Sequence, residues 1–204
     1  MGKRSDFKRR ARDFYPTPVA AVEPLIPHLP ERFTYIEPCV GDGALVRALE
    51  SFRSATGAAR YGYFSPTLEY GIDIQPVNSR LFQQQDAFDI FSVEADVDFF
   101  ITNPPWDRDV LHPLILHLSV MRPTWLLFDG DWAHTKQAML YLGRCRKIVA
   151  VGRVKWMGPS SPYTGKDNCA WYLFDEPNGR PPEFWGRQKF NVPKADIASS
   201  DRVF

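Results

Sequence analysis

Cysteine is scarce in this sequence, with three in 204 residues. Cys39, Cys145 and Cys169 form no CxxC pair and have no histidine at ligand spacing, so neither a disulfide framework nor a zinc site is indicated, and no metal is expected. No apolar run approaches the roughly 20 residues that span a bilayer, and the N-terminus lacks the apolar core of a secretory signal. The expectation is a soluble protein with reduced thiols in a cytoplasmic setting, with no membrane partner. Net charge is also nearly absent, at +1. It hides an asymmetry, because Lys3, Arg4, Lys8, Arg9, Arg10 and Arg12 crowd the first dozen residues against Asp6 alone. That cluster reads either as an arm that meets a phosphate backbone or as a solvated terminus with no partner.

What is present suits one folded unit. With 44% apolar and 14% aromatic residues, the chain can bury one substantial core and is short for two. The expected division is a basic flexible arm over 1–12, a single catalytic-sized domain over 13–175, and a polar tail over 176–204 punctuated by Pro177, Pro181, Pro182 and Pro193.

Strand and helix patterns alternate along that domain. Val19 to Leu29, interrupted by Pro24 and Pro27, supports about two helical turns. A buried strand, Phe33 to Glu37, runs through a glycine turn into a helix over Ala44 to Phe52, where Leu45, Val46, Ala48, Leu49 and Phe52 fall at helical spacing. After an irregular stretch, Ser54 to Pro66, a second strand over Leu68 to Ile74 carries Asp73, and a mixed segment surrounds Asp86. Asp98 to Thr102 is an apolar strand that stops at Asn103-Pro104-Pro105-Trp106. Then follow a helix over Asp107 to Val120, a strand over Trp125 to Phe128, a helix over Trp132 to Leu142, and a strand over Lys147 to Met157. Cys169 to Phe174 completes an antiparallel hairpin with that last strand across the loop 158–168. The fold class is therefore α/β, a doubly wound, mostly parallel sheet ending in an antiparallel hairpin.

Two motifs carry chemistry. In Glu37-Pro38-Cys39-Val40-Gly41-Asp42-Gly43 the glycines follow a strand and open a helix, which lets backbone approach a ligand across the strand ends. A pyrophosphate is a poor fit there: the third glycine of GxGxxG is replaced by Val46, and Glu37 and Asp42 would repel phosphate. Acids suit a ligand carrying an ammonium group or ribose hydroxyls, as S-adenosyl-L-methionine does. Asp73 lies about thirty residues past Gly43, somewhat beyond the usual distance for a ribose-binding acid, with the intervening loop absorbing the excess. Asp73 and Asp86 each read alternatively as turn or cap acids.

The second motif is Asn103-Pro104-Pro105-Trp106. Two prolines directly after a buried strand end the ladder and hold the backbone in a rigid, extended course. An exocyclic amine on a base is a poor nucleophile because its lone pair is delocalised into the ring. Two acceptors facing its two protons favour a pyramidal nitrogen. The Asn103 side-chain oxygen and the Pro104 carbonyl are the candidate acceptors, and Trp106 a surface on which the base can stack.

In order, Phe14-Tyr15-Pro16-Thr17-Pro18, the turn from Glu37 to Gly43, Gly71-Ile72-Asp73-Ile74, Asp86-Ala87-Phe88 and Asn103 to Trp106 resemble the successive motifs of the gamma-type N6-adenine DNA methyltransferases, in a small phage- or prophage-like form. The resemblance covers roughly residues 13–175. It implies a Rossmann-like class I methyltransferase fold with S-adenosyl-L-methionine as cofactor. Tyr15 and Thr17 would hold the methionine end of the cofactor, Glu37 to Gly43 would line it, Asp73 with Ile74 would meet the ribose, and Asp86, Ala87 and Phe88 the adenine. Asn103 to Trp106 would be the catalytic tetrapeptide.

Arg153, Lys155 and Trp156, with Lys166 and Arg108, would contact a flipped base or its phosphates. Tyr or Phe is commoner in the family where Trp106 stands. No block resembles a target-recognition domain, which leaves a short or relaxed recognition site, a homodimer or a recognition partner as the open alternatives. The expected activity is methyl transfer to adenine N6 in DNA. RNA adenine, a protein glutamine amide and a silent binding subunit are the alternatives. Cytosine N4 enzymes usually carry Ser or Asp at the position of Asn103.

Overall fold

The structure, a computed structural model, describes residues 15–53, 64–77, 80–156, 165 and 167–187. The basic arm, Phe14, Lys166 and most of the 158–168 loop lie outside these residues. Eight strands form one sheet: β1 (Arg32–Glu37), β2 (Ser65–Asp73), β3 (Gln83–Gln84), β4 (Phe99–Thr102), β5 (Thr124–Asp129), β6 (Cys145–Arg153), β7 (Asn168–Phe174) and β8 (Glu183–Trp185). Their order is β3-β2-β1-β4-β5-β7-β6-β8. All neighbouring pairs are parallel except those of β7, which runs antiparallel to both β5 and β6. The fold is thus the doubly wound sheet with a closing antiparallel hairpin that the alternating pattern predicts.

Helix α1 (Val19–Val22) continues as a 3-10 helix over Glu23–His28, where Pro24 and Pro27 remove donors that an α-helix would use. Together with α2 (Ala44–Ser51) it covers one face of the sheet, through Leu25, Ile26, Leu45 and Leu49 against Phe33, Tyr35, Trp125 and Trp171. The indole N–H of Trp171 donates to the Ala21 carbonyl at 2.7 Å and fastens α1 to β7.

Helix α3 (Arg108–Ser119) covers the other face. Asp107 caps it by accepting from the Asp109 N–H at 3.0 Å. Its apolar positions split between two clusters: Leu111 and Ile115 pack toward β5, β6 and β7, and Leu114 and Leu118 toward β1, β2 and β4. These pairs are each four apart, so they form two adjacent ridges of one helix.

The structure departs from the sequence pattern in three places. Trp132 to Leu142 is not a helix; Trp132–His134, Gln137–Leu140 and Leu142–Arg144 are separate 3-10 turns. Thr135 is extended, its hydroxyl donates to the Trp132 carbonyl at 2.8 Å and accepts from the Ala138 N–H at 3.3 Å, so it closes one turn and caps the next. Strand β6 ends at Arg153 rather than Met157, after a register shift at Gly152, whose φ is 86°. Within the stretch read as a polar tail, Glu183–Trp185 add a parallel edge strand to β6, with Lys147 facing Glu183 at 3.9 Å.

Candidate functional site

Strand order reverses between β1 and β4: β1 leads outward to β2 and β3, and β4 to β5. Ligands of doubly wound sheets bind outside the carboxyl ends of the strands at such a switch point. A cavity of about 1200 Å³ opens there.

The glycine turn forms one wall. Gly41 (φ 53°) and Gly43 (φ 77°) both adopt the left-handed region, which costs glycine little. A side chain on Gly43 would also come within 2.7 Å of the Phe82 ring. The Gly41 N–H donates to Asp73 Oδ2 at 2.9 Å and the Gln75 N–H to Asp73 Oδ1 at 2.8 Å. Asp73 therefore splints the end of β2 to the turn while two of its roughly four lone-pair sites stay unclaimed by these bonds. Asp86 likewise accepts from the Phe88 N–H at 3.0 Å and caps the short 3-10 turn Ala87–Asp89. Both acids make the turn contacts that a purely local reading anticipates, and both line the cavity.

Electrostatically the wall is acidic. Glu37, Asp42, Asp73 and Asp86 all line it, and Arg47 pairs with Asp42 at 3.2 Å. Glu37 is only 2% exposed, and its Oε2 has no hydrogen-bond partner among the described residues. Burial, reinforced by Asp42 and Asp73, holds its carboxyl well above the ordinary carboxylate range. The Cys39 thiol is pushed up to about 12, first by burial and further by Asp73, Glu37 and Asp86. A buried carboxylate oxygen without a donor is a costly feature unless a ligand supplies one. Such a wall favours a cation and hydroxyl donors and disfavours phosphate.

The opposite wall comes from the end of β4. Asn103 and Pro105 line the cavity, beside Tyr15, Pro16 and Thr17. The Asn103 amide donates through Nδ2 to Thr17 Oγ1 at 3.1 Å and the Tyr15 carbonyl at 3.4 Å, and Asn103 Oδ1 accepts from Trp106 Nε1–H at 3.3 Å. The same indole N–H donates to the Leu127 carbonyl at 3.2 Å.

The cavity thus gathers Tyr15, Thr17, Glu37, Pro38, Cys39, Gly41, Asp42, Asp73, Ile74, Asp86, Ala87, Phe88, Asn103 and Pro105 from the sequence reading. Gly43, Pro104 and Trp106 are not among its lining residues. Trp106 instead packs into the core and meets Trp156 edge-on at 5.8 Å, while Trp156 lies 6.3 Å from the Tyr15 ring. Arg153 and Lys155 are exposed at the carboxyl end of β6, and Arg108 donates to Gln137. Lys166 lies outside the described residues.

Several neighbours of the site escaped the sequence reading. Val77, whose N–H donates to the Gly41 carbonyl at 3.0 Å, lines the cavity while remaining 66% exposed, beside the predicted Ile74 at 55%. Apolar side chains left bare at a cavity rim mark a surface for a flat ligand; the signal was their place immediately after the β2 acid. Arg187 lies across Gly152, its Nη1 3.3 Å from where a side chain would begin, beside Arg153. Nothing in its polar surroundings in the sequence distinguishes it.

No family model and no curated protein matches the chain. Among solved structures, a chain from the structure of a type I R-M system aligns at a TM-score of 0.50 and 16% identity, over 88% of this chain and 46% of that one. A dimethyladenosine transferase from Plasmodium falciparum aligns at 0.45 and 14%, over 80% of this chain and 63% of its own. A Listeria monocytogenes protein described as a class I S-adenosylmethionine-dependent methyltransferase aligns at 0.45 and 14%, over 86% and 64%. This chain spans less than two thirds of each of these three. The first likeness is one of fold, and the other two are too distant to add to it.

No helix among the described residues is long and apolar enough to cross a membrane. No group of three or more His, Cys, Asp or Glu among them is placed to hold a metal.

Proposed function

We propose that this protein is an S-adenosyl-L-methionine-dependent methyltransferase whose target is the exocyclic N6 of adenine in DNA. The observation that carries the proposal is the meeting of two sequence motifs in one cavity. The acid-lined glycine turn forms one wall, and Asn103, held by three hydrogen bonds at the end of β4, forms the other. The cofactor fits the donor set: Glu37 offers an unpartnered buried carboxylate oxygen for its ammonium group. Asp73 retains acceptor capacity for the ribose hydroxyls, and Ile74, Val77 and Phe88 offer apolar surface for the adenine ring. When bound, it supplies an electrophilic methyl group on a sulfonium.

The chain's own task is alignment. Asn103 Oδ1 accepts a hydrogen bond from the target amine, which draws its lone pair out of ring conjugation and toward the cofactor side of the cavity. A target inside a duplex must first leave the stack. Arg153, Lys155 and Arg187, at the carboxyl edge of β6, are suited to the phosphates that flank it. Sequence choice would come from homodimerisation or a recognition partner.

The test is purified protein with methyl-labelled S-adenosyl-L-methionine and, in parallel, duplex DNA, single-stranded DNA, RNA and mixed protein. Label in N6-methyladenine from DNA supports the proposal. Label confined to RNA adenine or to glutamine amides moves the substrate while keeping the chemistry. Binding of the cofactor without transfer to any of them refutes an unaided enzyme.

A further inference from the structure

Trp106 lies beside the cavity without lining it, and its contacts are directional. Its indole N–H is a donor and cannot accept. That N–H is shared between Asn103 Oδ1, at 3.3 Å, and the Leu127 carbonyl of β5, at 3.2 Å. On the other side of the same amide, Asn103 Nδ2 reaches the Tyr15 carbonyl at 3.4 Å, and a carbonyl can only accept. The Thr17 hydroxyl at 3.1 Å tolerates either orientation.

A primary amide is nearly symmetric in shape, and turning it over exchanges its oxygen and its nitrogen. In the flipped state the Asn103 N–H₂ would confront the indole N–H, donor against donor. Its oxygen would confront the Tyr15 carbonyl, acceptor against acceptor. One-way partners on both sides therefore select a single orientation. Only Trp106 acts on the oxygen among the described contacts, and it does so while anchored to β5.

We propose that Trp106 is a positioning residue: its indole N–H takes one lone pair of the Asn103 oxygen and fixes the amide, so that the oxygen's second lone pair, rather than an N–H, is left for a hydrogen-donating amine in the cavity. This rests on the methyltransferase reading for its consequence in catalysis, but the amide orientation itself does not. The role differs from ring stacking, which any aromatic face supplies. Trp106→Phe keeps an aromatic ring and deletes the donor.

The experiment pairs kinetics with nitrogen-15 NMR on the full chain. The Asn103 side-chain amide pair is identified by its loss in Asn103→Ala, and the Trp106 indole signal, one of six, by its loss in Trp106→Phe. In the wild type the Asn103 pair is expected to be sharp and slow to exchange. In Trp106→Phe it is expected to exchange about two- to tenfold faster, the range set by one modest hydrogen bond. Methyl transfer is expected to lose a similar factor in kcat with KM within about twofold.

A stacking role would instead raise KM and leave the Asn103 amide signals unchanged, and that result overturns the proposal. If the wild type transfers no methyl group while the amide signals respond as expected, the positioning role stands and the methyltransferase reading falls. Should Trp106→Phe fail to fold, the isostere carrying sulfur in place of the indole N–H at 106 is measured in its place, with the same two outcomes.

Discussion

Glu37 separates stability from function, and replacing it with Gln tests that separation. The carboxylate is buried at the end of β1, with Oε2 unpartnered among the described residues and with Asp42 and Asp73 nearby. Burial and the two neighbouring acids raise its pKa, so in the ligand-free protein its contribution to stability is fully present below the ordinary carboxylate pKa. That contribution is lost as pH rises toward the folded-state value. Gln keeps the shape and removes the ionisation. Gln leaves a polar group in the same place, so the cost of an unsatisfied group stays; what it removes is the cost of ionising a buried acid, and each kcal/mol of that moves the Tm of a chain this size by about 2–4 °C.

Glu37→Gln is therefore expected to change the Tm of the ligand-free protein more favourably at pH 8 than at pH 5. The same change should weaken S-adenosyl-L-methionine by about 10- to 100-fold, the worth of one charge-assisted hydrogen bond. Wild-type affinity should strengthen as pH rises through the Glu37 titration, whereas the variant's should not follow it. Methylthioadenosine, which lacks the ammonium group, is the control and should bind both proteins alike. Scanning fluorimetry with titration calorimetry makes the comparison. A variant whose Tm change without ligand is no more favourable at pH 8 than at pH 5, and that binds S-adenosyl-L-methionine like the wild type, would refute the reasoning.

Three further outcomes follow from the geometry. Gly43→Ala places a side chain at φ 77° against the Phe82 ring; the left-handed strain alone costs about 1–2 kcal/mol, so a lowered Tm and weakened cofactor binding are expected, and an unchanged Tm would contradict the turn geometry. Replacing Arg153, Lys155 and Arg187 by Ala should weaken DNA binding without altering cofactor affinity. It should also flatten the dependence of log affinity on log salt by about 0.9 per lost duplex phosphate contact, and an unchanged slope would remove these residues from the interface. His112 accepts from the Trp132 indole at 3.0 Å, and burial with nearby Arg108 lowers its pKa. Its contribution is present above the unfolded histidine pKa and lost as pH falls through the lower folded value, so His112→Phe should show a weaker acid dependence of Tm than the wild type.

The sheet was legible in the sequence where local and global demands agree. Strand β4 is a short apolar run stopped by two prolines, and β1 runs straight into glycines that only a tight turn needs. Their ends meet at the switch point because the alternating pattern admits few connections. The acids of the glycine turn and the strand-end Asp73 could be placed at the cavity for the same reason.

Other features depend on contacts that sequence spacing does not encode. Thr135 redirects a plausible helix through hydrogen bonds to its own neighbours. Strand β8 forms where an exposed triplet finds the free edge of β6. The indole N–H of Trp106, which does not line the cavity, is shared between Asn103 and the carbonyl of Leu127, a residue on a different strand. Stacking and hydrogen-bond donation are equally available to a tryptophan, and tertiary surroundings decide between them.

The most direct measurement is methyl transfer from trideuteromethyl S-adenosyl-L-methionine to duplex DNA, followed by nucleoside mass spectrometry, for the wild type and Asn103→Ala. Trideuteromethyl on adenine N6 from the wild type alone, with cofactor binding retained in both proteins, is the predicted result. Equal labelling by the two proteins, or labelling at cytosine, would contradict the role given to the end of β4.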